Sequence, residues 1–111
     1  MTLFIYSELE NITIDENFDD SNYSTDIDNA LERGYDKSFP IVVDEDNCII
    51  DGNHRFTAFV AEGRENELFF CKVTYSDFID LQCTFIGNRE MEHKFNNDDV
   101  FFYAEIAKIA K

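Results

Sequence analysis

Apolar positions along the chain switch between a period near two and a period near 3.6, and the switches mark the elements. A short β-like run at residues 3–6 opens the chain, and residues 11–23, polar and acidic, read as a loop. Ser24 or Thr25 can cap a short helix with Asp26 and Asp28 in its first turn and Arg33 near its end, and Gly34 stops it. Pro40 then leads Ile41, Val42 and Val43, a strand by its β-branched content. Residues 44–47 form a turn and 48–50 return, so 41–50 reads as a hairpin. After the sharp turn at 51–53 the spacing becomes helical over 54–62, with Phe56, Phe59 and Val60 on one face, and Gly63 ends it. A strand over 68–75 alternates Leu68, Phe70, Lys72 and Thr74 against Phe69, Cys71, Val73 and Tyr75. Residues 77–83 suit a short helix after Ser76, 84–86 are ambiguous, and 87–95 form a charged loop. Asn97 or Asp98 can cap a last helix reaching Ala110, with Val100, Tyr103, Ala104 and Ala107 along one side and Phe102, Ile106 and Ile109 close by.

This order predicts an α+β fold: one domain over residues 1–111, a small mixed sheet with flanking helices. Twelve Phe and five Tyr supply core material that a disordered chain of this charge would lack. No apolar stretch approaches the roughly 20 residues that cross a bilayer. The first residues carry no basic segment or cleavage-like site, and the expected location is the cytoplasm. Cys48, Cys71 and Cys83 form no C-x-x-C pair and are expected to be reduced and buried. A zinc site from these cysteines and His93 has no recognisable spacing.

The net charge of -15 changes the picture because it is lopsided. Residues 1–51 hold fourteen acids against Arg33 and Lys37, while 52–111 hold ten acids against seven bases. That balance disfavours direct DNA binding and suits a basic protein partner, or serves solubility alone.

The chemistry that stands out is the turn Asp51, Gly52, Asn53, His54, Arg55 at the mouth of a helix. Gly52 permits a tight turn and close approach of a ligand. The residues from Asn53 to Phe56 open a helix, whose first N–H groups form an anion site. His54 and Arg55 add donors and positive charge, and a guanidinium can hold two phosphate oxygens at once. Asp51 can bind a hydrated Mg²⁺, orient His54 or accept a proton. The same residues also permit a plain structural pair of Asp51 with Arg55, with His54 a satisfied surface group.

The run from Pro40 through the acidic turn to Asp51-Gly52-Asn53-His54-Arg55-Phe56-Thr57-Ala58, then Gly63 and the β-run at 68–75, resembles the core of the ParB/sulfiredoxin superfamily. The likeness covers residues 38–75 and extends to 3–37 as a preceding strand and helix; residues 76–111 are a helical extension without a match. It implies a nucleotide or phosphate site at the start of the helix. The family's activities are diverse: CTP binding and hydrolysis in chromosome partition, ATP-dependent sulfinic acid repair, free-serine kinase activity and nuclease activity. Asn53 stands where sulfiredoxins have their reactive cysteine, which argues against sulfinic acid repair. His54 stands where partition proteins have a second arginine, and only about 36 residues follow the core here, which argues against the DNA-binding helical domain and centromere binding of those proteins. The Asp-Gly-x-His-Arg form is most similar to the small-molecule kinase branch, where an upstream glutamate is the base; Glu8, Glu10 and Glu16 are the candidates, with Glu16 assigned.

On that reading the phosphates of ATP or another nucleoside triphosphate lie on the amides of Gly52 to Phe56. His54 and Arg55 neutralise the transferred phosphoryl group, Asp51 holds Mg²⁺, and Glu16 takes the acceptor's proton, giving a kinase or NTP hydrolase. Lys72 could add a charge contact, although a snorkelling role fits it better. The competing expectation is an acidic inhibitor, immunity or nucleic-acid-mimic protein, with Asp15, Glu16, Asp19, Asp20 and the Asp44-Glu45-Asp46 cluster facing a basic cleft. Catalysis requires that the amides and the Arg55 guanidinium face one pocket open to an anion. An Arg55 locked in an internal ion pair leaves the acidic interaction protein on a borrowed scaffold.

Overall fold

Among the described residues, four strands form one mixed sheet, and helices cover both of its faces. The computed structural model describes residues 1–14, 31–35, 39–85 and 99–110. The strands are β1 (Phe4–Ile5), β2 (Ile41–Val43), β3 (Ile49–Asp51) and β4 (Phe69–Lys72), in the spatial order β1-β4-β2-β3. β2 runs parallel to β4, with Ile41 opposite Phe70 and Val43 opposite Lys72. The two outer pairings, β1 with β4 and β2 with β3, are antiparallel. Helices among the described residues include α1 (Asn53–Ala61), α2 (Tyr75–Phe85) and α3 (Asp99–Ile109).

Alternation along β2 and β4 assigns the two faces, because successive strand side chains point to opposite sides. Ile41, Val43, Leu68 and Phe70 join Leu9, Ile49 and Phe59 in one buried cluster under α1. Val42, Cys71 and Val73 join Phe78 and Ile106 in a second, under α2 and α3. β2 is buried along its whole length because both faces are covered, as expected of a strand with a parallel neighbour. Arg64 fastens the first layer: its Nη1 donates to the Leu31 carbonyl at 2.6 Å, both Glu67 oxygens accept from it, and its guanidinium lies 5.0 Å from the Phe59 ring centroid.

Several sequence expectations shift. The hairpin at 41–50 forms, with a register irregularity between Val42 and Val43, and Cys48 leaves β3 to bridge Thr13 instead. The opening run shortens to β1, because residues Tyr6–Glu8 turn into a 3-10 segment. Val60 is exposed, so the buried face of α1 is Phe59 with half-buried Phe56. The strand expected at 68–75 ends at Lys72, and α2 starts at Tyr75 and absorbs residues 84 and 85. Thr74 caps it: its Oγ1 accepts from the Asp77 amide at 3.2 Å. α3 buries Ile106 and half-buries Tyr103 and Ile109, while Ala104 is exposed, so its inner stripe differs from the expected one. Residues 31–33 are helical and Gly34 follows at φ 88°, as the stop signal predicts; the proposed caps Ser24 and Thr25 lie outside the described residues. So do the charged loop at 87–95, His93 and the caps Asn97 and Asp98. The three cysteines are free, with Cys71 buried as expected and Cys83 exposed. Among the described residues no helix is long and apolar enough to cross a membrane.

Candidate functional site

Gly52 sits between β3 and α1 at φ 101°, a conformation that a side chain disfavours. A Cβ there would lie 3.0 Å from both Ile41 Cγ1 and Arg55 Nη2, so the turn is pressed against the start of β2. Gly52 is also the N-cap of α1, which therefore begins without a capping side chain and without an acid in its first turn. Its carbonyl accepts from the Phe56 amide at 2.9 Å.

From this turn the Arg55 side chain runs into the protein. Nη1 donates to the Phe39 carbonyl and, at 3.4 Å, to the Tyr35 hydroxyl. Nη2 donates to the Tyr103 hydroxyl and, at 3.3 Å, to Asp51 Oδ2. Tyr103 donates onward to the same Asp51 oxygen at 2.8 Å. Tyr35 donates to the Phe39 carbonyl. The guanidinium carbon also lies over both phenol rings, 5.9 Å from the Tyr35 centroid and 5.5 Å from that of Tyr103, in cation–π range. The network thus joins the segment before β2, the end of β3, the first turn of α1 and the middle of α3.

Its electrostatics follow from burial around one cation. Burial opposes the charge on Arg55, but the two phenols and the Asp51 carboxylate outweigh it and hold the guanidinium above its ordinary pKa. Burial pushes the Tyr35 phenol up, opposed by Arg55 and aided by Asp51. The Tyr103 phenol is also pushed up, first by burial and then by Asp51. Both phenols are therefore neutral donors, and Arg55 is the fixed charge.

Of the residues singled out in the sequence, Asp51, Gly52 and Arg55 come together. They do so as an internally satisfied cluster, not as a guanidinium turned to an open anion pocket. Asn53 and His54 are half-buried in the first turn of α1. The Phe56 amide is bonded to Gly52, and the Phe56 ring packs on Tyr6 and Phe70, so Phe56 belongs to the core and not to a phosphate cradle. Asp51 Oδ2 already accepts from a cation and a phenol, a poor setting for Mg²⁺. Among the described residues no group of three or more His, Cys, Asp or Glu is placed to hold a metal ion. Glu16 lies outside the described residues. Glu8 is engaged locally, accepting from the Ile5 amide at 2.9 Å. Lys72 lies 5.7 Å from the Phe4 ring centroid, on β4 beside β1.

Sequence reasoning missed Tyr35, Phe39 and Tyr103. One signal was present: a tyrosine on the apolar stripe of a helix needs a partner for its hydroxyl once buried. Nothing in the sequence said that the partner would be Asp51, 52 residues away. No model of a protein family matches the chain, and no curated protein or solved structure matches it.

Proposed function

We propose that this is a non-catalytic, acidic interaction protein built on a ParB/sulfiredoxin-like scaffold, which engages a basic protein partner. The observation that carries the reading is the Arg55 guanidinium, whose two terminal nitrogens reach four oxygens of the protein itself. An arginine held this way fastens β3, α1 and α3 and leaves few donors for a substrate. The hairpin, Gly52 turn, α1 and the parallel return strand β4 support the scaffold assignment. The distinctive property left is then the charge, fourteen acids against two bases over residues 1–51. Part of that charge is held in place: Asp44 Oδ1 accepts from the amides of Asp46 and Cys48, and Glu45 Oε2 from the amide of Tyr75. Such capping fixes the carboxylates without neutralising them, which favours association with a cationic surface.

A second reading has its own observation. The Gly-capped, acid-free start of α1 supports binding of a nucleotide phosphate, ATP or CTP, beside His54 and Arg55. It requires Arg55 to exchange partners, and it carries neither the phosphoryl-transfer roles of Asp51, His54, Arg55 and Glu16 nor a metal step at Asp51. Calorimetric titration of the full chain with ATP, ADP and CTP in the presence of Mg²⁺ separates the two. The interaction-protein reading expects no heat at millimolar ligand. It also expects a basic partner whose binding is lost on charge reversal at Asp19 and Asp20 and survives Arg55→Ala. Nucleotide heat that disappears in Arg55→Ala overturns it in favour of the second.

A further inference from the structure

Of the four glycines in the chain, Gly52 alone follows an aspartate or asparagine; the others follow Arg33, Glu62 and Ile86. An Asp-Gly pair is the aspartyl link most open to internal attack, because no side chain on the second residue hinders its amide. The attack forms a bond from Gly52 N to Asp51 Cγ and breaks one Cγ–O bond. The oxygen leaves as water, carrying the amide proton and the proton of the carboxylic acid. Water then opens the succinimide ring at either carbonyl: one opening restores aspartate, and the other routes the main chain through Cβ and Cγ as isoaspartate. We infer that Asp51-Gly52 is a spontaneous isomerisation site of this protein, and that Arg55 and Tyr103 hold it closed.

Ring closure requires the Asp51 carboxyl to swing onto the Gly52 nitrogen and Asp51 to leave its extended backbone. Both movements are restrained. Asp51 is the last residue of β3 and pairs with Val42. Its Oδ2 accepts from the Tyr103 hydroxyl at 2.8 Å and from Arg55 Nη2 at 3.3 Å. The same Nη2 lies against the turn, 3.0 Å from the place of a Gly52 Cβ. Tyr103 is in turn positioned by α3, which is held on the sheet by Ile106, Ile109 and Ala110, and by its own ring against Phe39 at 5.3 Å. The carboxyl therefore reaches the amide only in a local opening that gives up Tyr103 and Arg55 together. Isoaspartate lengthens the main chain between β3 and α1 by one carbon and shortens the side chain that meets Tyr103, so each event loosens the network for good.

The test is peptide mapping by mass spectrometry after weeks at neutral pH, with the full chain in native buffer and in guanidinium chloride. The succinimide is read as loss of one water, and isoaspartate as a peptide of unchanged mass that elutes apart and resists cleavage at residue 51. The native chain should react at least about tenfold more slowly than the unfolded one. Tyr103→Phe removes one hydrogen bond to the carboxylate, keeps the ring, and should speed the native reaction about tenfold. Thr74→Ala weakens the fold at α2 without touching the turn and should leave the rate unchanged. If Tyr103→Phe does not fold, Arg55→Lys takes its place. Equal rates in the native and unfolded chains overturn the inference. So does a variant that reacts no faster than the parent, and so does equal acceleration by Thr74→Ala, which would assign the protection to the fold as a whole.

Discussion

Arg55 is worth more to this protein than its ion pair. Removing it takes one donor each from the Phe39 carbonyl, the Asp51 carboxylate and the Tyr35 and Tyr103 hydroxyls in a half-buried site. Arg55→Ala is expected to lower the unfolding free energy by about 3 kcal/mol, the upper end of the range for hydrogen bonds to a charged group. Arg55→Lys should recover less than half of this, because an ammonium lacks the planar fork that reaches four oxygens. Urea denaturation at unchanged m-value measures both, and an Arg55→Ala protein as stable as the parent would refute the fastener role. Gly52→Ala should also destabilise, by more than about 1 kcal/mol, since it meets both a left-handed φ and Ile41 at 3.0 Å. The buried acids of this region set the alkaline limit. Cys71 is pushed from an ordinary 9.0 to about 12 by burial, and the Tyr35 and Tyr103 phenols are raised above 10.0. The unfolded chain releases these protons first, so their contribution is complete below pH 9. It then declines, first through the thiol and more steeply above pH 10 through the phenols. Denaturation midpoints measured from pH 8 upward, alongside tyrosinate absorbance, should show two of the five tyrosines ionising only as the protein unfolds.

α2 begins where side chains satisfy its first amides, one of them from outside the helix. Thr74 Oγ1 takes the Asp77 amide and Glu45, from the turn after β2, takes the Tyr75 amide at 2.8 Å. Thr74→Ala should cost about 1 kcal/mol, and Ser76→Ala much less, which thermal unfolding of the two variants will distinguish. The same helix shows how far the sequence was legible. The hairpin, α1 and its glycine boundaries were readable because β-branched runs and Gly52, Gly63 carry local signals. The two-faced burial of β4 was readable from its alternation. The start of α2 was not, because half of its capping comes from Glu45, 30 residues upstream. The inner stripe of α3 was misplaced for a related reason. Apolar residues lie on several sides of that helix, so only the tertiary partner, Asp51 beneath Tyr103, selects the face. The turn at 51–55 was identified as the informative place, but the direction of Arg55, inward, depends on Phe39 and Tyr103, which local spacing cannot bring together.

At the scale of the whole molecule, attraction among charges is local and repulsion is global. Ion pairs among the described residues, Arg55 with Asp51, Arg64 with Glu67 and Lys108 with Glu105, join near neighbours. Exposed pairs three residues apart contribute only a few tenths of a kcal/mol. Against them stands a net charge of -15 on 111 residues, most of it in residues 1–51. Repulsion of that extent destabilises the compact state and is screened once the Debye length falls to about 10 Å, near 0.1 M salt. The Arg55 cluster is half-buried and cross-linked by neutral phenols, so salt weakens it far less than it weakens surface repulsion. Raising NaCl from about 10 mM to about 150 mM at neutral pH should therefore raise Tm. The same addition should weaken the complex with a basic partner, because the long-range attraction between the two proteins is screened over the same distance. A Tm that falls with salt would mean that attractive pairs outweigh the repulsion, and the acidic half would then be a folding device rather than a surface kept charged for a partner.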